Sequence, residues 1–127
     1  MRIITWNINS IRIRLQLLKR VCEQLNPDIV CLQETKVVDG LFPVIDCEAL
    51  GYSHLAYSGM KSYNGVAIIS KNELKNININ FIKDDLKQSR IITAELKFKK
   101  KIIDLVNVYV PNGNPVDTER YVYKKAW

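Results

Sequence analysis

The sequence predicts an α/β fold in which a sheet of about six strands carries helices on one of its faces. Four short segments are apolar at successive positions rather than alternate ones, which is typical of strands buried on both faces; they are 3–4, 29–32, 66–69 and 102–103. The segment from Ile11 to Leu25 instead places Leu15, Leu18 and Cys22 between its ends at helical spacing. The 127 residues, of which 47% are hydrophobic, suffice for one core, so we predict a single domain over residues 1–127.

The first predicted strand covers residues 1–7, because the segment 2–6 is rich in β-branched and aromatic side chains. This strand breaks into a polar stretch that begins at Asn7, and the helical pattern follows it. The amide of Asn7 can accept a hydrogen bond from, or donate one to, a metal-bound water or a carboxylate. Asn7 is therefore the first candidate site residue.

The second predicted strand, 29–32, ends in Gln33, Glu34, Thr35 and Lys36, which places a carboxylate at the mouth of the sheet. Open α/β sheets bind ligands at their strand ends, and a hard oxygen ligand there suits Mg²⁺. Taken alone, Glu34 is explained better as an ordinary solvated carboxylate. The other strand ends shift that balance.

A third predicted strand, 102–109, runs into a loop rich in proline, glycine and asparagine at 110–115. Tyr109 stands where this strand gives way to the loop. An unperturbed phenol has a pKa of about 10, so Tyr109 is expected to donate a hydrogen bond rather than act as a base at neutral pH. Three strand ends thus carry an amide, a carboxylate and a phenol.

With these motifs the sequence resembles the exonuclease III-type AP endonucleases, which belong to the endonuclease/exonuclease/phosphatase superfamily. The most specific match is Leu-Gln-Glu-Thr-Lys at 32–36. Further matches, in the family's order and at about its spacing, are Thr-Trp-Asn-Ile-Asn at 5–9, Ile-Arg at 11–12, Gly-Tyr at 51–52, Tyr-Asn-Gly-Val-Ala-Ile at 63–68, Arg-Ile-Ile-Thr-Ala-Glu at 90–95 and Tyr-Val-Pro-Asn-Gly at 109–113. The resemblance extends over the whole chain. One departure is Ser10, where the family commonly has a glycine, which tolerates positive φ better.

The resemblance implies a mixed, largely antiparallel sheet with helices on one face, which forms one half of a four-layer α/β sandwich. It also implies an active site in which Glu34 and Asn7 hold Mg²⁺ or Mn²⁺. Catalytic roles fall to Asn7, which orients the metal ligands, and to Tyr109, which contacts the scissile phosphate or positions the attacking water. The residues expected to contact DNA are Arg90, Tyr63, Asn64 and Asn112.

Part of the family's active site has no counterpart in the sequence. Family members are roughly twice as long, and their second half supplies a Gly-Asp-x-Asn motif and a Ser-Asp-His motif; neither occurs here. The single histidine, His54, is predicted to be a strand residue without a catalytic role. The chain ends within a predicted helix, whose first turn Asp117 or Thr118 could cap. The predicted helices cover only one face of the sheet, and no predicted element packs against its other apolar face. We therefore predict the N-terminal half of an enzyme domain, which needs a missing layer or a partner chain.

The charge and cysteine content bear on partners and location. Nineteen lysine and arginine residues against thirteen aspartate and glutamate residues give a net charge of +6, which favours a polyanion such as DNA, although many lysine-rich proteins never bind nucleic acid. We assign Lys99–Lys101 to a solvated hairpin tip and the alternating segment 76–80 to an edge strand, neither with a chemical role.

The three cysteines show no disulfide or zinc pattern, and the sequence has no signal-peptide or membrane-span pattern, so we predict a cytoplasmic protein without a membrane partner.

Three functions are compatible with these observations. The first is an AP endonuclease and 3′–5′ exonuclease of DNA base excision repair, which acts on double-stranded DNA with abasic sites or 3′ ends and is inactive unless a complementary C-terminal half chain is supplied. The second is a truncated, non-enzymatic relic that binds nucleic acid weakly or not at all. The third is a phosphodiesterase of the same superfamily that acts on a lipid phosphate. The segment 32–36, Arg90 and the basic charge favour DNA over lipid.

Overall fold

A computed structural model describes residues 1–79 and 81–127. The described residues form seven β-strands, three α-helices and a short 3-10 helix, in the order β1 (Ile3–Asn7), α1 (Leu15–Leu25), β2 (Ile29–Gln33), the 3-10 helix (Asp39–Leu41), α2 (Val44–Ala49), β3 (His54–Ser58), β4 (Val66–Ser70), β5 (Leu74–Ile79), β6 (Ile91–Phe98), β7 (Lys101–Val108) and α3 (Glu119–Ala126). The three strands predicted with polar residues at their ends, β1, β2 and β7, all form.

The strands are arranged in two sheets. In the first sheet the order is β1-β2-β4-β3, with β1 and β2 parallel and the other neighbours antiparallel. The second sheet is antiparallel, in the order β5-β6-β7. The predicted class, a mixed and largely antiparallel α/β fold, is confirmed, but the strands are divided between two sheets instead of forming one.

Helices α1 and α2 cover one face of the first sheet. Leu18 and Cys22 of α1 and Cys47 of α2 are buried there against these sheet residues: Val30, Leu32, Ala67 and Ile69. The predicted apolar stripe is correct at its centre and less so at its ends. Ile11 is buried but lies in the turn before α1, and Leu25 is 47% exposed.

The second sheet covers the other face of the first. Inward-facing residues of β6 and β7 pack against the far side of the first sheet in one buried cluster, which comprises Ile29, Cys31, Ala56, Val66, Ile68, Ile92, Ala94, Leu96 and Leu105. The prediction that nothing in the chain covers this face is wrong, because the β6–β7 hairpin folds back over it. The outer face of β7 is open instead, with Ile102 72% exposed and Val106 60% exposed.

Two further predictions concern the second sheet. Lys99 and Lys100 form the two-residue turn of the β6–β7 hairpin, as predicted, and Lys101 pairs with Phe98. Residues 76–79 belong to the edge strand β5, as the alternating pattern predicts, whereas Asn80 lies outside the described residues. No helix in the described part of the chain is long and apolar enough to span a membrane.

Candidate active site

Asn7, Glu34 and Tyr109 meet at one edge of the two sheets. Strands β1 and β2 run parallel with Asn7 opposite Gln33, so their carboxyl ends lie side by side and Glu34 follows directly. Tyr109 follows β7 of the second sheet, and its Oη donates a 2.6 Å hydrogen bond to Oε1 of Glu34. Nδ2 of Asn7 donates a 2.9 Å hydrogen bond to the same oxygen. The structure thus brings together the three groups that the sequence places at three strand ends.

The second oxygen of Glu34 faces a cation of the chain itself. Nζ of Lys36 lies 3.2 Å from Oε2 of Glu34 and donates a 2.6 Å hydrogen bond to Oδ1 of Asn9. The side chains of Lys36 and Glu34 are 30% and 19% exposed, so the pair is open to solvent only in part. The sequence alone assigns no role to Lys36 or Asn9. Both residues lie in the matched motifs that contain Glu34 and Asn7, and this position in the motifs could have predicted a role for them.

Glu34 is ionised at neutral pH. Partial burial raises the pKa of this carboxyl, but hydrogen bonds from Asn7, Tyr109 and Lys36, together with the charge of Lys36, act in the opposite direction and prevail. The pKa of Glu34 therefore lies below its ordinary value. A carboxylate held in its charged form is the state that a metal ion requires.

The phenol of Tyr109 keeps its proton at neutral pH. Partial burial raises the pKa of Tyr109, and the hydrogen bond to the Glu34 carboxylate raises it further, because a nearby negative charge disfavours the phenolate. The guanidinium of Arg90 opposes both effects without reversing the direction. The protonation state agrees with the predicted donor, and the catalytic role of Tyr109 stays a prediction.

The backbone around this cluster contains several residues with positive φ. Glu34 has φ +53°, Lys36 +52°, Asn9 +46°, Ser10 +83° and Asn64 +52°. Residues other than glycine adopt such values only when the surrounding structure holds them there, and such residues concentrate at functional sites. Ser10 is the position where the resembled family commonly has glycine, and its φ accounts for that preference.

The loop that carries Glu34 is fixed between two other loops. On one side the backbone N–H of Ser10 donates to the carbonyl of Glu34 at 2.8 Å, and on the other the N–H of Thr35 donates to the carbonyl of Gly65 at 3.2 Å. Gly65 has φ +93°, and a Cβ at this position would lie 2.1 Å from Oγ1 of Thr35. Glycine is therefore needed for the close approach of the 60–65 loop to the Glu34 loop.

The oxygen ligands of the cluster suit a hydrated Mg²⁺ or Mn²⁺ ion. Within residues 1–79 and 81–127, no three histidine, cysteine, aspartate or glutamate side chains form a cluster that could hold a metal ion. Mg²⁺, however, commonly binds through one or two carboxylates and completes its shell with waters and substrate phosphate oxygens. The Glu34 carboxylate fits this mode of binding, in which the phosphate of the substrate contributes to the site. Asn7 turns its NH2 group to Glu34, and its Oδ1 accepts a 3.2 Å hydrogen bond from the backbone N–H of Asn9, so its role as a metal ligand stays a prediction.

The four predicted DNA contacts lie on one surface beside this cluster. All four line one cavity of about 500 Å³, and Tyr109 lines it too. Along the chain these lining residues are Tyr63, Asn64, Arg90, Tyr109 and Asn112. Tyr63 is 70% exposed, so its ring is free to contact a ligand, whereas Asn64 is only 9% exposed. We call this cavity the Tyr109 groove. The role of its residues in DNA binding stays a prediction.

Arg90 is packed into the wall of the Tyr109 groove. It is 8% exposed, and its guanidinium lies 4.8 Å from the ring centroid of Tyr109 and 5.6 Å from that of Tyr123. Its Nη1 donates to the carbonyl of Tyr109 at 3.1 Å, and its Nε donates to Oε1 of Gln88 at 2.7 Å. Tyr123 of α3 in turn donates to Oδ2 of Asp84 at 2.9 Å. Arg90 thus packs against the Tyr109 ring on the side of the groove wall, and Tyr123 connects α3 to the same wall through its contact with Arg90 and its hydrogen bond to Asp84.

One buried residue next to the site, Asn107, is also missed by the sequence analysis. It lies inside the largely apolar strand β7, two positions before Tyr109, so that both side chains point to the same face. Asn107 is 2% exposed. The signal that could have found it is a polar side chain at an inward-facing position of an apolar strand.

Two packed sheets with a carboxylate, an amide and a phenol at their common edge agree with the fold and site expected of the Endonuclease/Exonuclease/phosphatase family. The model of that family matches residues 4–127, and the chain belongs to it. Its relatives within the family include an exodeoxyribonuclease III of Haemophilus influenzae, which is 40% identical over 114 residues, or 89% of this chain and 42% of the relative. The resemblance to exonuclease III-type enzymes is confirmed.

Solved structures agree with this assignment. An AP endonuclease from Archaeoglobus fulgidus matches with a TM-score of 0.90 at 39% identity, over 100% of this chain and 48% of its own. A 3′ phosphatase from Neisseria, bound to a product DNA hairpin, also matches with a TM-score of 0.90, at 34% identity and over the same shares of the two chains. The chain thus spans 42–48% of the length of these three proteins.

Proposed function

We propose that this chain carries one half of the active site of an AP endonuclease and 3′–5′ exonuclease of DNA base excision repair. The observation that supports this most directly is the pair of hydrogen bonds, 2.6 and 2.9 Å long, that Tyr109 and Asn7 donate to one oxygen of Glu34. They orient an ionised carboxylate beside the Tyr109 groove before any substrate is bound, as electrostatic catalysis requires. Relatives named as exodeoxyribonuclease III and AP endonuclease support the same reaction.

Glu34 and Asn7 would hold Mg²⁺ or Mn²⁺ through a carboxylate and an amide oxygen. When bound, the ion would polarise a phosphoryl oxygen and stabilise the leaving oxygen. Asn7 orients Glu34 by its hydrogen bond to Oε1, which leaves Oε2 on the side of Lys36. Tyr109 keeps its proton and would donate a hydrogen bond to a phosphate oxygen or to the attacking water.

The Tyr109 groove would bind the DNA strand that carries the abasic site or the 3′ end. The exposed ring of Tyr63 offers a surface on which a base can stack. The exposed amide of Asn112 can donate to a phosphate oxygen, and Arg90 adds a fixed positive charge behind Tyr109. Asn64 is 9% exposed, and its Nδ2 donates a weak 3.5 Å hydrogen bond to Sδ of Met60, which a phosphate oxygen would replace. The net charge of +6 supports attraction of a polyanion, and these features together favour DNA over a lipid phosphate.

We also propose that residues 1–127 are half of a domain and are inactive alone. The sequence contains neither Gly-Asp-x-Asn nor Ser-Asp-His, so the family's water-activating and phosphate-stabilising groups have no counterpart in it. A complementary C-terminal half chain would supply them. Its docking surface would include the edge of β7, the last strand of the second sheet, and the outer face on which Ile102 and Val106 are exposed.

We place this protein in the cytoplasm. Its three cysteines, Cys22, Cys31 and Cys47, are free and buried. Cysteines that remain free are typical of compartments whose thiols are kept reduced, such as the cytosol.

The test is incision of a labelled DNA duplex that contains one abasic site. The purified chain is assayed alone and mixed with the C-terminal half of the Haemophilus influenzae exodeoxyribonuclease III, in Mg²⁺ and in EDTA. We expect no incision by the chain alone and Mg²⁺-dependent incision by the mixture, which Glu34→Gln abolishes. Glu73→Gln is the matched control, since Glu73 is 66% exposed and pairs with Lys75 outside the groove; it should leave the incision unchanged.

Three other outcomes would decide between the functions. Metal-dependent incision by the chain alone would show that half of the site suffices, and would overturn the proposed inactivity. A stable mixed complex that binds but does not cut DNA would overturn the catalytic proposal and support a non-enzymatic relic. Hydrolysis of a lipid phosphodiester by that complex, without incision of DNA, would overturn the proposed substrate.

A further inference from the structure

Asn107 makes three hydrogen bonds across the gap between the two sheets. Its Nδ2 donates to the carbonyl oxygens of Leu32 and Ala67, each at 2.9 Å. Its Oδ1 accepts a 2.7 Å hydrogen bond from Nε2 of Gln33. At 2% exposure, Asn107 is removed from solvent, so these bonds are made with protein groups that water cannot replace.

These contacts join the second sheet to the first at a defined place. Leu32 and Ala67 are paired in register across β2 and β4, so the amide of Asn107 bridges two neighbouring strands of the first sheet. Nε2 of Gln33 also lies 2.9 Å from Oγ1 of Thr5, which extends the connection to β1. One side chain of β7 is thereby linked to three strands of the opposite sheet.

The connection lies immediately below the hydrogen bond between Tyr109 and Glu34. Tyr109 is two residues after Asn107 on the same face of the chain, and Glu34 directly follows Gln33, whose side-chain amide donates to Asn107, so both members of that bond are attached to the connection through one or two residues of backbone. Tyr109 and Glu34 follow strands of different sheets, and the distance between them therefore depends on how the sheets are spaced at this edge.

We propose that Asn107 is a positioning residue, which fixes the spacing of the two sheets so that the phenol of Tyr109 reaches Glu34. This inference rests on the proposed function, because it assigns Asn107 a task in the site described above. It goes beyond that function in naming a residue that touches neither substrate nor reacting atoms and acts through Gln33, Leu32 and Ala67.

An asparagine amide has the functional groups that this position needs. Two donors and one acceptor are used in one plane, and the amide supplies both kinds of group from a short side chain. Aspartate would place acceptors against two carbonyl oxygens. Leucine is branched at the same atom but larger, and it would leave those carbonyls and Gln33 without their partner, which is unfavourable in a buried site.

The test measures the Tyr109–Glu34 hydrogen bond itself, by NMR of the chain with tyrosine labelled at Cζ. The chemical shift of Cζ reports the hydrogen bonding of the phenol, and Tyr109→Phe assigns the Tyr109 signal among the six tyrosines. The quantity of interest is the change in that shift caused by Glu34→Gln. We expect this change to fall by about half or more in Asn107→Leu, because the loss of buried partners loosens the spacing of the sheets.

Leu96→Ala is the matched control. Leu96 is 2% exposed and belongs to the same buried layer between the sheets. It pairs with Ile103 near the hairpin turn, whereas Asn107 and Tyr109 lie near the Ile91–Val108 pair at the opposite end of the β6–β7 ladder. Leu96→Ala should lower the unfolding midpoint and leave the Tyr109 signal and its response to Glu34→Gln unchanged. If Asn107→Leu does not fold, Asn107→Thr, which keeps one donor and one acceptor, replaces it, and a smaller loss of the response is expected.

A full response to Glu34→Gln in the folded Asn107 variant would overturn the proposal. Equal losses in the Asn107 variant and in Leu96→Ala would also overturn it, because the effect would then follow stability alone. The measurement is made without DNA or a complementary chain. Failure of the incision assay would therefore count against the proposed function, while the NMR result would still decide the role of Asn107.

Discussion

The phenol of Tyr109 donates a 2.6 Å hydrogen bond to Oε1 of Glu34, although the two residues are 75 positions apart and follow strands of different sheets. Asn7 donates to the same oxygen, whereas Oε2 faces the ammonium group of Lys36. One oxygen of the carboxylate thus has two neutral donors and the other has a cation. A metal ion that binds Oε2 would compete with Lys36, and Tyr109 and Asn7 would stay in place.

The Lys36→Met substitution should therefore tighten the binding of Mn²⁺. Lys36 is 30% exposed, and ion pairs near the surface are worth about 0.2–1 kcal/mol, so we expect the dissociation constant to fall about 1.4- to fivefold. Electron paramagnetic resonance of free Mn²⁺ in a titration of the chain measures it directly. Lys75→Met is the control, because Lys75 is also paired with a glutamate but lies outside the site. Unchanged or weaker binding in Lys36→Met would show that Lys36 does not compete with the ion.

The ends of β1, β2 and β7 could be predicted because their signal is local. A buried strand that ends in a polar residue is visible as a change of composition along the chain, and Asn7, Glu34 and Tyr109 all stand at such a change. Local composition therefore predicts Asn7, Glu34 and Tyr109 and the α/β class, whereas the DNA contacts are predicted only from the resemblance to the family.

The contacts between these residues could not be predicted, because they depend on how the sheets pack. Nothing local shows that the β6–β7 hairpin folds over the second face of the first sheet, so this face is left without a cover in the sequence analysis. For the same reason the sequence does not reveal that Asn107 reaches Leu32, or that Arg90 is buried between two tyrosine rings. Each of these contacts joins residues that are distant in sequence.

The Gly65→Ala substitution should destabilise the fold beside Glu34 strongly. The added Cβ would lie 2.1 Å from Oγ1 of Thr35, and the residue would have to keep a φ of +93°. We expect a loss of about 2–4 kcal/mol in the free energy of unfolding, which combines backbone strain with the overlap. Urea unfolding followed by circular dichroism measures this loss.

Two other glycines separate the causes of this effect. Gly51 has φ +92° but open space around its Cβ position, so Gly51→Ala isolates the backbone strain and should cost about 1 kcal/mol. Gly40 has open space and no positive φ, so Gly40→Ala should be close to neutral. Equal losses at positions 65 and 51 would show that the contact with Thr35 adds nothing.

The Ser10→Gly substitution should stabilise the protein. Ser10 has φ +83°, which glycine adopts without the steric conflict of a Cβ, so we expect a gain of about 0.5–1 kcal/mol. Ser53→Gly is the matched control, because Ser53 is exposed and does not have a positive φ. That change should reduce the stability slightly, since glycine has more conformational freedom in the unfolded chain. A loss of stability in Ser10→Gly would mean that the side chain of Ser10 contributes more than its backbone costs.

The acid sensitivity of the wall behind Tyr109 should depend on Asp84. Partial burial raises the pKa of Asp84, but backbone hydrogen bonds from Gln88 and Leu86, the hydrogen bond from Tyr123 and the charge of Arg90 hold it below its ordinary value. A lowered pKa in the folded state contributes stability that is fully present above the unfolded pKa of about 3.9 and is lost as the pH falls through the folded pKa. Asp84→Asn should therefore lower the free energy of unfolding by about 1 kcal/mol near pH 7 and by less near pH 2.5, as urea unfolding at both values would measure. Asp85→Asn, at the exposed neighbouring residue, is the control and should leave the free energy of unfolding near pH 7 unchanged. An Asp84→Asn effect of equal size at both pH values would show that the charge of Asp84 does not stabilise this wall.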